Sequence, residues 1–176
     1  LQIETKETFI PVKFRDSDKA RIGDWVIAIG NPQGLEFSIV RGIISGIREI
    51  DDQSLIQIAI PIEPGNSGGP VLNMEGQVVG VASSGLNKLM MLEEAQYIPE
   101  NVNFAVKSQN VGVFLSANNI DFVSKNSQRV VQNREVAKSA EESTVMLICY
   151  NSISNIKEMY GEQNVSNIFT LENFKN

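Results

Sequence analysis

From its first residues to about position 106 the chain is a succession of short apolar runs cut apart by Gly, Pro, Asn and Asp, with no stretch of helical period between them. Trp25-Val26-Ile27-Ala28-Ile29 follows Gly23-Asp24 and stops at Gly30-Asn31-Pro32-Gln33-Gly34, a dense group of breakers. Phe37 to Ile47 is β-branched and interrupted by Gly42 and Gly46, and glycines inside a strand mark bulges or bends at a barrel corner. Leu55 to Ile60 is the third run. Val71-Leu72 and Val78 to Ala82 flank the short hairpin loop Asn73-Met74-Glu75-Gly76-Gln77, and Asn103 to Val106 is the sixth run. Six short, tightly joined strands without crossover helices predict a mainly β fold, a six-stranded antiparallel Greek-key barrel rather than a βαβ arrangement.

After Val106 the period changes. Ser108 is placed to cap a helix whose apolar residues Val111, Phe114 and Leu115 fall on one face. Gly112 weakens that helix by about 1 kcal/mol. Residues 118–176 are polar and rich in Asn and Ser. Within them Arg134 to Glu142 reads as a helix with Glu141-Glu142 on its solvated face, and Thr144 to Tyr150 as one buried strand holding Cys149 as a small hydrophobe. The expected organisation is a barrel domain over 1–117 and a small α/β extension over 118–176, of unknown role, that either docks on the barrel or forms its own unit. The last fifteen or so residues are expected to be loosely ordered. Residues 84–101 form a long loop carrying Leu86, Leu89, Met90, Met91 and Leu92, either functional or a flap packing its own apolar residues. Trp25 is assigned to the core.

Composition narrows the function. A chain of 176 residues holds one domain, or one small domain with an appendage. Fifteen Lys and Arg against 21 Asp and Glu, with no basic block, argue against a nucleic-acid partner. No apolar run approaches the ~18 residues of a membrane-spanning helix. One cysteine excludes an internal disulfide, no Cys cluster points to a metal, and no cofactor is expected. The chain opens on Leu1 inside a strand-like stretch, so its start is expected to be a cut. Above all it has no histidine, so a mechanism that needs imidazole as base cannot be completed by this chain alone.

Glu63-Pro64-Gly65-Asn66-Ser67-Gly68-Gly69-Pro70 is the segment with chemistry in it. Three glycines surround one serine. Glycine lets backbone N–H groups turn inward and lets a substrate approach the main chain. Such a loop can aim the N–H groups of Gly65 and Ser67 at one point beside the Ser67 hydroxyl, making an oxyanion hole. The plainer reading is a Gly-rich turn with an incidental serine. A phosphate loop is disfavoured, since Gly-Lys-Ser/Thr is missing and no helix follows.

Gly65-Asn66-Ser67-Gly68-Gly69-Pro70 resembles the nucleophile loop of trypsin-like serine proteases, in the form used by the HtrA/DegP (Deg) group. Further stretches match that group in order: Asp16-Ser17-Asp18 through Gly23-Asp24-Trp25-Val26, Ile29-Gly30-Asn31-Pro32-Gln33-Gly34, Gly42-Ile43-Ile44-Ser45, Gly76 to Gly80 and Asn103 to Val106. The likeness covers roughly residues 1–117, the second barrel of a two-barrel enzyme whose first barrel carries the His and Asp of the triad. It implies Ser67 as nucleophile, with Gly65, Asn66 and Ser67 around the oxyanion site. It implies pairing of an extended peptide with Ser83-Ser84-Gly85, and an apolar pocket walled by Pro61, Ile62, Val102, Asn103 and Phe104 that suits a small apolar side chain. Glu63 is read as facing water. The substrate implied is a peptide or unfolded protein, the partner a first barrel or further copies of the chain, and the compartment periplasmic or extracytoplasmic.

The departures are specific. His and Asp of the triad are absent, Gln33 replaces an aromatic, and Gln57-Ile58-Ala59-Ile60-Pro61 stands where the group has Thr-Asp-Ala-Ala after the Gln. The extension lacks the Gly-x-Leu-Gly-Val opening of a PDZ domain. Three readings follow: half of a serine endopeptidase, inactive alone; a pseudo-protease or relic that binds peptides or a partner without cutting; and a Ser-Lys enzyme using Lys88 or Lys107, each of which would need burial to lower its pKa.

Overall fold

The computed structural model describes residue 6 and residues 8–31, 37–50, 53–83, 101–124 and 131–147. Residues 1–145 make one compact unit, to which every element below belongs. Among the described residues there are eight strands: β1 Lys13–Phe14, β2 Trp25–Gly30, β3 Ser38–Ile50, β4 Gln53–Ile58, β5 Pro70–Asn73, β6 Gln77–Ser83, β7 Asn103–Lys107 and β8 Val123–Ser124. Among the described residues two α-helices follow the barrel, α1 Ser108–Ala117 and α2 Asn133–Ser143.

Six strands close on themselves. The antiparallel order β5-β2-β3-β4-β7-β6 returns to its start through the pairing of β5 with β6. Closure leaves the barrel without an open edge. β3 makes it possible by serving two neighbours. Residues 38–43 pair with β2 and residues 44–50 with β4, and the register shifts between Ile44 and Gly46. A bulge there bends the strand around the corner. Gly42 has a different reason: a Cβ on it would run into the Ala59 carbonyl and come within 2.7 Å of Ile60 Cγ1. Gly46 thus marks the bulge that the interrupted β-branched run predicts, whereas Gly42 sits in unbroken register and is required by this close approach.

Alternation sorts the side chains into two apolar layers. Val26, Ala28, Ile44, Ile56, Ile58, Val71 and Val79 fill the barrel interior. Their neighbours Ile27, Ile29, Leu72 and Val78 point outward and would be wet in a bare barrel. Instead they are covered by Val136 and Ala140 of α2, with Val12, Phe14, Met74 and Val131 at the margin. Burying a side chain of this size stabilises by roughly 1.5–3 kcal/mol. The start of that segment is fixed by Val131 N–H donating to Met74 O at 3.1 Å. Within the extension, α2 packs on the barrel, and its extent matches the predicted Arg134 to Glu142 helix closely.

Other expectations are corrected. Thr144 to Leu147 form no strand, and Val145, Met146 and Leu147 are 49%, 56% and 66% exposed. Thr144 N–H bonds back to Glu141 O, so the chain there finishes a helix rather than finding a ladder partner. Residues 148–150, including Cys149, and the last fifteen residues lie outside the described residues. Ser108 does not cap α1. It is the first helical residue, and its hydroxyl donates to Arg15 O at 2.6 Å. The buried face of α1 is Ser108 and Gly112, while Phe114 is 64% exposed. Gly112 is the contact point: a Cβ there would stand 3.0 Å from Phe122 Cζ. Trp25 is not in the core but half exposed on the outer face, with the Arg41 guanidinium carbon 4.0 Å above its ring centroid. β1 pairs in parallel with β6 and, on its other side, with β8, over two residues each, and neither short strand carries a sequence signal.

Candidate active site

The loop between β4 and β5 emerges at one end of the barrel. The ends of three strands meet it there. Ile58 pairs with Asn103, Gln57 with Phe104, and Phe104 in turn with Ser83. Asn103 Nδ2 donates to Ile60 O at 2.6 Å, tying the start of β7 to the strand leading into the loop. The structure therefore brings Pro61, Ile62, Gly65, Asn66, Ser67, Ser83, Val102, Asn103 and Phe104 to the same end. Ser84, Gly85, Gln33, Lys88 and the apolar residues Leu86, Leu89, Met90, Met91 and Leu92 lie outside the described residues.

The main chain of the loop is pinned almost group by group. Asn66 N–H donates to Glu63 O at 3.0 Å, and Gly65 between them has φ 103°. Pro at the second position, positive φ at the third and that closing bond make a type II turn. Gly65 O accepts from Asn31 N–H at 3.0 Å, so the Gly65–Asn66 peptide is held at both ends. Asn66 O accepts from Gly69 N–H at 3.0 Å. A trans peptide is planar, so the Ser67 N–H on its other edge points the opposite way. Gly68 N–H donates to Ala82 O, and Ala82 N–H to Gly69 O, both at 2.9 Å. The inward groups are thus consumed by the scaffold. Among the described residues Gly65 N–H meets no acceptor, and Gly65 and Ser67 are both exposed.

Packing behind the loop is close. Asn66 is 3% exposed, and its side chain lies so near Gly30 that a Cβ on Gly30 would overlap its Oδ1. A Cβ on Gly69 would overlap Ile29 O. Gly30 and Asn31, breakers by residue type, form the back wall of the serine loop, a role their turn chemistry does not signal. Of the proposed pocket residues, Ile62 and Phe104 are buried at 9% and 5%, Val102 and Asn103 are half-buried, and Pro61 is exposed. Glu63 faces water as expected. Lys107 is turned elsewhere: it pairs with Gly80 three residues along β7 from Phe104, about 10 Å at strand rise, and its Nζ is 3.2 Å from Asp18 Oδ1.

Comparison with known proteins shows what the chain resembles. Residues 1–81 match the family described as trypsin-like peptidase domain. A probable periplasmic serine endoprotease, DegP-like, of Chlamydia trachomatis is 42% identical over 100 residues, which are 54% of this chain and 19% of that protein. Over its barrel the chain is similar to trypsin-like peptidases of the HtrA/Deg group. The serine protease Do-like HtrB of Bacillus subtilis is 39% identical over 122 residues, 63% of this chain and 25% of the relative. The solved HtrA-type protease AlgW with decapeptide superposes with a TM-score of 0.50 at 26% identity, covering 60% of this chain and 32% of that one. The chain spans about a fifth to a quarter of the length of these curated relatives. Among the described residues no helix is long and apolar enough to cross a membrane.

Proposed function

We propose that this chain is the Ser67-bearing barrel of an HtrA/Deg-type serine endopeptidase. In the complete enzyme a base takes the Ser67 proton as Oγ attacks a peptide carbonyl. The N–H groups of Gly65 and Ser67 hold the oxyanion, the amine leaves with a proton from the base, and water then releases the acyl group. The observation that carries this reading is the pinned loop: scaffold bonds use its inward groups and leave the Gly65 amide, beside Ser67, without a described acceptor. An extended peptide is proposed to lie along Ser83-Ser84-Gly85, with its apolar side chain near Ile62 and Phe104. The periplasmic relatives support a periplasmic or extracytoplasmic setting, and the decapeptide of AlgW supports a peptide substrate.

No imidazole is available within the 176 residues. The general base is therefore proposed to come from a His- and Asp-bearing barrel outside them, and the chain alone to be inactive. Loss of a triad member leaves only ~10³–10⁴-fold acceleration over water. A fluorophosphonate probe tests this. Labelling of Ser67 in the isolated chain is expected at the rate of a denatured control; fast labelling would show that the chain carries its own base. Adding a His-bearing first barrel is expected to give cleavage of an unfolded protein that Ser67→Ala abolishes. The same lack of histidine favours a second reading, a non-cutting peptide-binding module. Peptide binding without cleavage in the reconstituted pair would select it.

A further inference from the structure

The extension beyond the barrel has a place in this site. α2 lies across the antiparallel pair β2–β5, where Ile27 is opposite Leu72 and Ala28 opposite Val71. Val136 and Ala140 cover Ile27, Ile29 and Leu72, leaving each of the three at most 3% exposed. Those two strands hold the serine loop between them. β5 begins at Pro70, directly after Gly69. The last residues of β2 and the one after it meet the loop from behind: Ile29 O abuts Gly69, Gly30 abuts the Asn66 side chain, and Asn31 N–H donates to Gly65 O at 3.0 Å. Ile29 therefore touches α2 with its side chain and the loop with its carbonyl. The contact is not filled to its edge. A recess of about 240 Å³, lined by Val12, Leu72, Val131, Val136 and Ala140 among others, runs along the seam of α2.

We infer that α2 is a positioning element for the serine loop: by clamping β2 to β5 from outside, it holds the end of β2 in the register that pins the Gly65 and Asn66 peptides. Val136 is its positioning residue, acting through Ile29. This rests on the reading of residues 65–67 as the oxyanion-binding loop, and it gives the otherwise polar tail a role in the reaction. Undocking α2 frees the β2 end to shift against Gly69 and Asn66. Small displacements suffice, because an acyl-transfer site misplaced by about 1 Å loses on the order of 10²-fold in rate.

The test bypasses the missing base. In a Ser67→Cys, Cys149→Ala background the thiolate is its own nucleophile at mildly alkaline pH. With p-nitrophenyl acetate, Sγ bonds to the acetyl carbon through a tetrahedral oxyanion and p-nitrophenolate leaves. With iodoacetamide, Sγ displaces iodide and no oxyanion forms. The ratio of the two rates reads the amide cradle and is blind to simple exposure of the thiol. Val136→Asp is expected to lower that ratio by about tenfold or more, within the roughly 10²–10³ that one oxyanion donor is worth. Gly30→Ala, which strikes Asn66 directly, is expected to lower it too. Gly112→Ala, which disturbs Phe122 under the other helix, is expected to leave it unchanged. Protection of the β4 amides from hydrogen exchange checks that the barrel persists; if Val136→Asp unfolds it, the near-isosteric Val136→Thr is read instead. An unchanged ratio on undocking α2, with a lowered ratio in Gly30→Ala, overturns the inference and leaves the site reading standing. A ratio unmoved by either overturns both.

Discussion

Lys107 and Asp18, 89 positions apart, form an ion pair of 3.2 Å in which the lysine side chain is 11% exposed and the aspartate 60%. Gln109 Nε2 joins the pair, donating to Asp18 Oδ2 at 2.8 Å and to Asp16 Oδ1 at 3.1 Å. The Asp-Ser-Asp segment ahead of β2 is thereby clasped to the β7–α1 junction. The hydrogen bonds from Gln109 and then Lys107 hold the Asp18 carboxyl below its ordinary 3.8. A depressed carboxylate stabilises the fold above its unfolded pKa, and the contribution is lost as pH falls through the lower folded value. The difference in melting temperature between the native chain and Asp18→Asn is therefore expected to be constant from neutrality down to about 3.8 and to close below it. A difference that widened in acid would contradict the clasp. Because the carboxylate is well exposed, the effect is expected to be small and to shrink with salt.

Gly42 is a stricter requirement. Its α-carbon passes the Ala59 carbonyl and Ile60 inside the barrel, and neither neighbour is the free end of a flexible side chain. Gly42→Ala is expected to destabilise by about 1–3 kcal/mol through overpacking, and by more if β3 cannot shift. Urea unfolding measures it. Gly68→Ala makes the contrast: its Cβ would meet nothing within 4 Å, so only the strain of φ 82° opposes it. Equal losses for the two would show that conformational freedom, not the close approach to Ala59 and Ile60, explains Gly42.

Period-two alternation made the barrel readable, because one face of each strand is buried and apolar. It misled where size stood in for burial. Trp25 shares its face with Ile27 and Ile29, but α2 covers only the latter two, and which outward residues a later helix covers is a tertiary fact. Phe114 and the apolar run beginning at Val145 failed alike, since an apolar residue needs a partner surface and none is written locally. At the site, Ser67 and its glycines were readable because backbone geometry demands those residue types. The back wall at Gly30 and Asn31 was not, because it joins positions more than thirty residues apart through main-chain contacts.

Trp25 is the sole tryptophan, which makes its position easy to check. At 50% exposure its fluorescence is expected to be quenched by acrylamide in the folded chain, with little further gain in urea. Arg41 above the ring is expected to give Arg41→Ala a measurable change in the emission and a stability loss of about 0.5–1 kcal/mol, the size of an exposed cation–π contact. A blue-shifted, unquenchable emission would place the indole in the core after all.

Gly65→Ala separates the turn from the fold. Type I and type II turns share the closing bond, here Asn66 N–H to Glu63 O, and differ by a flip of the central peptide, here Pro64–Gly65. An L-residue at φ 103° is strained by roughly 1–3 kcal/mol. Flipping that peptide relieves the strain and keeps the bond, but it reverses the N–H of residue 65. The variant is therefore expected to stay folded, with a stability loss no greater than that strain. In the Ser67→Cys background its ratio of ester acylation to iodoacetamide alkylation is expected to fall by about 10²–10³, the worth of one oxyanion donor. Retention of the native ratio at reduced stability would mean that the Gly65 amide is no part of the cradle. Ser67 would then have to be read as an exposed serine in a structural turn.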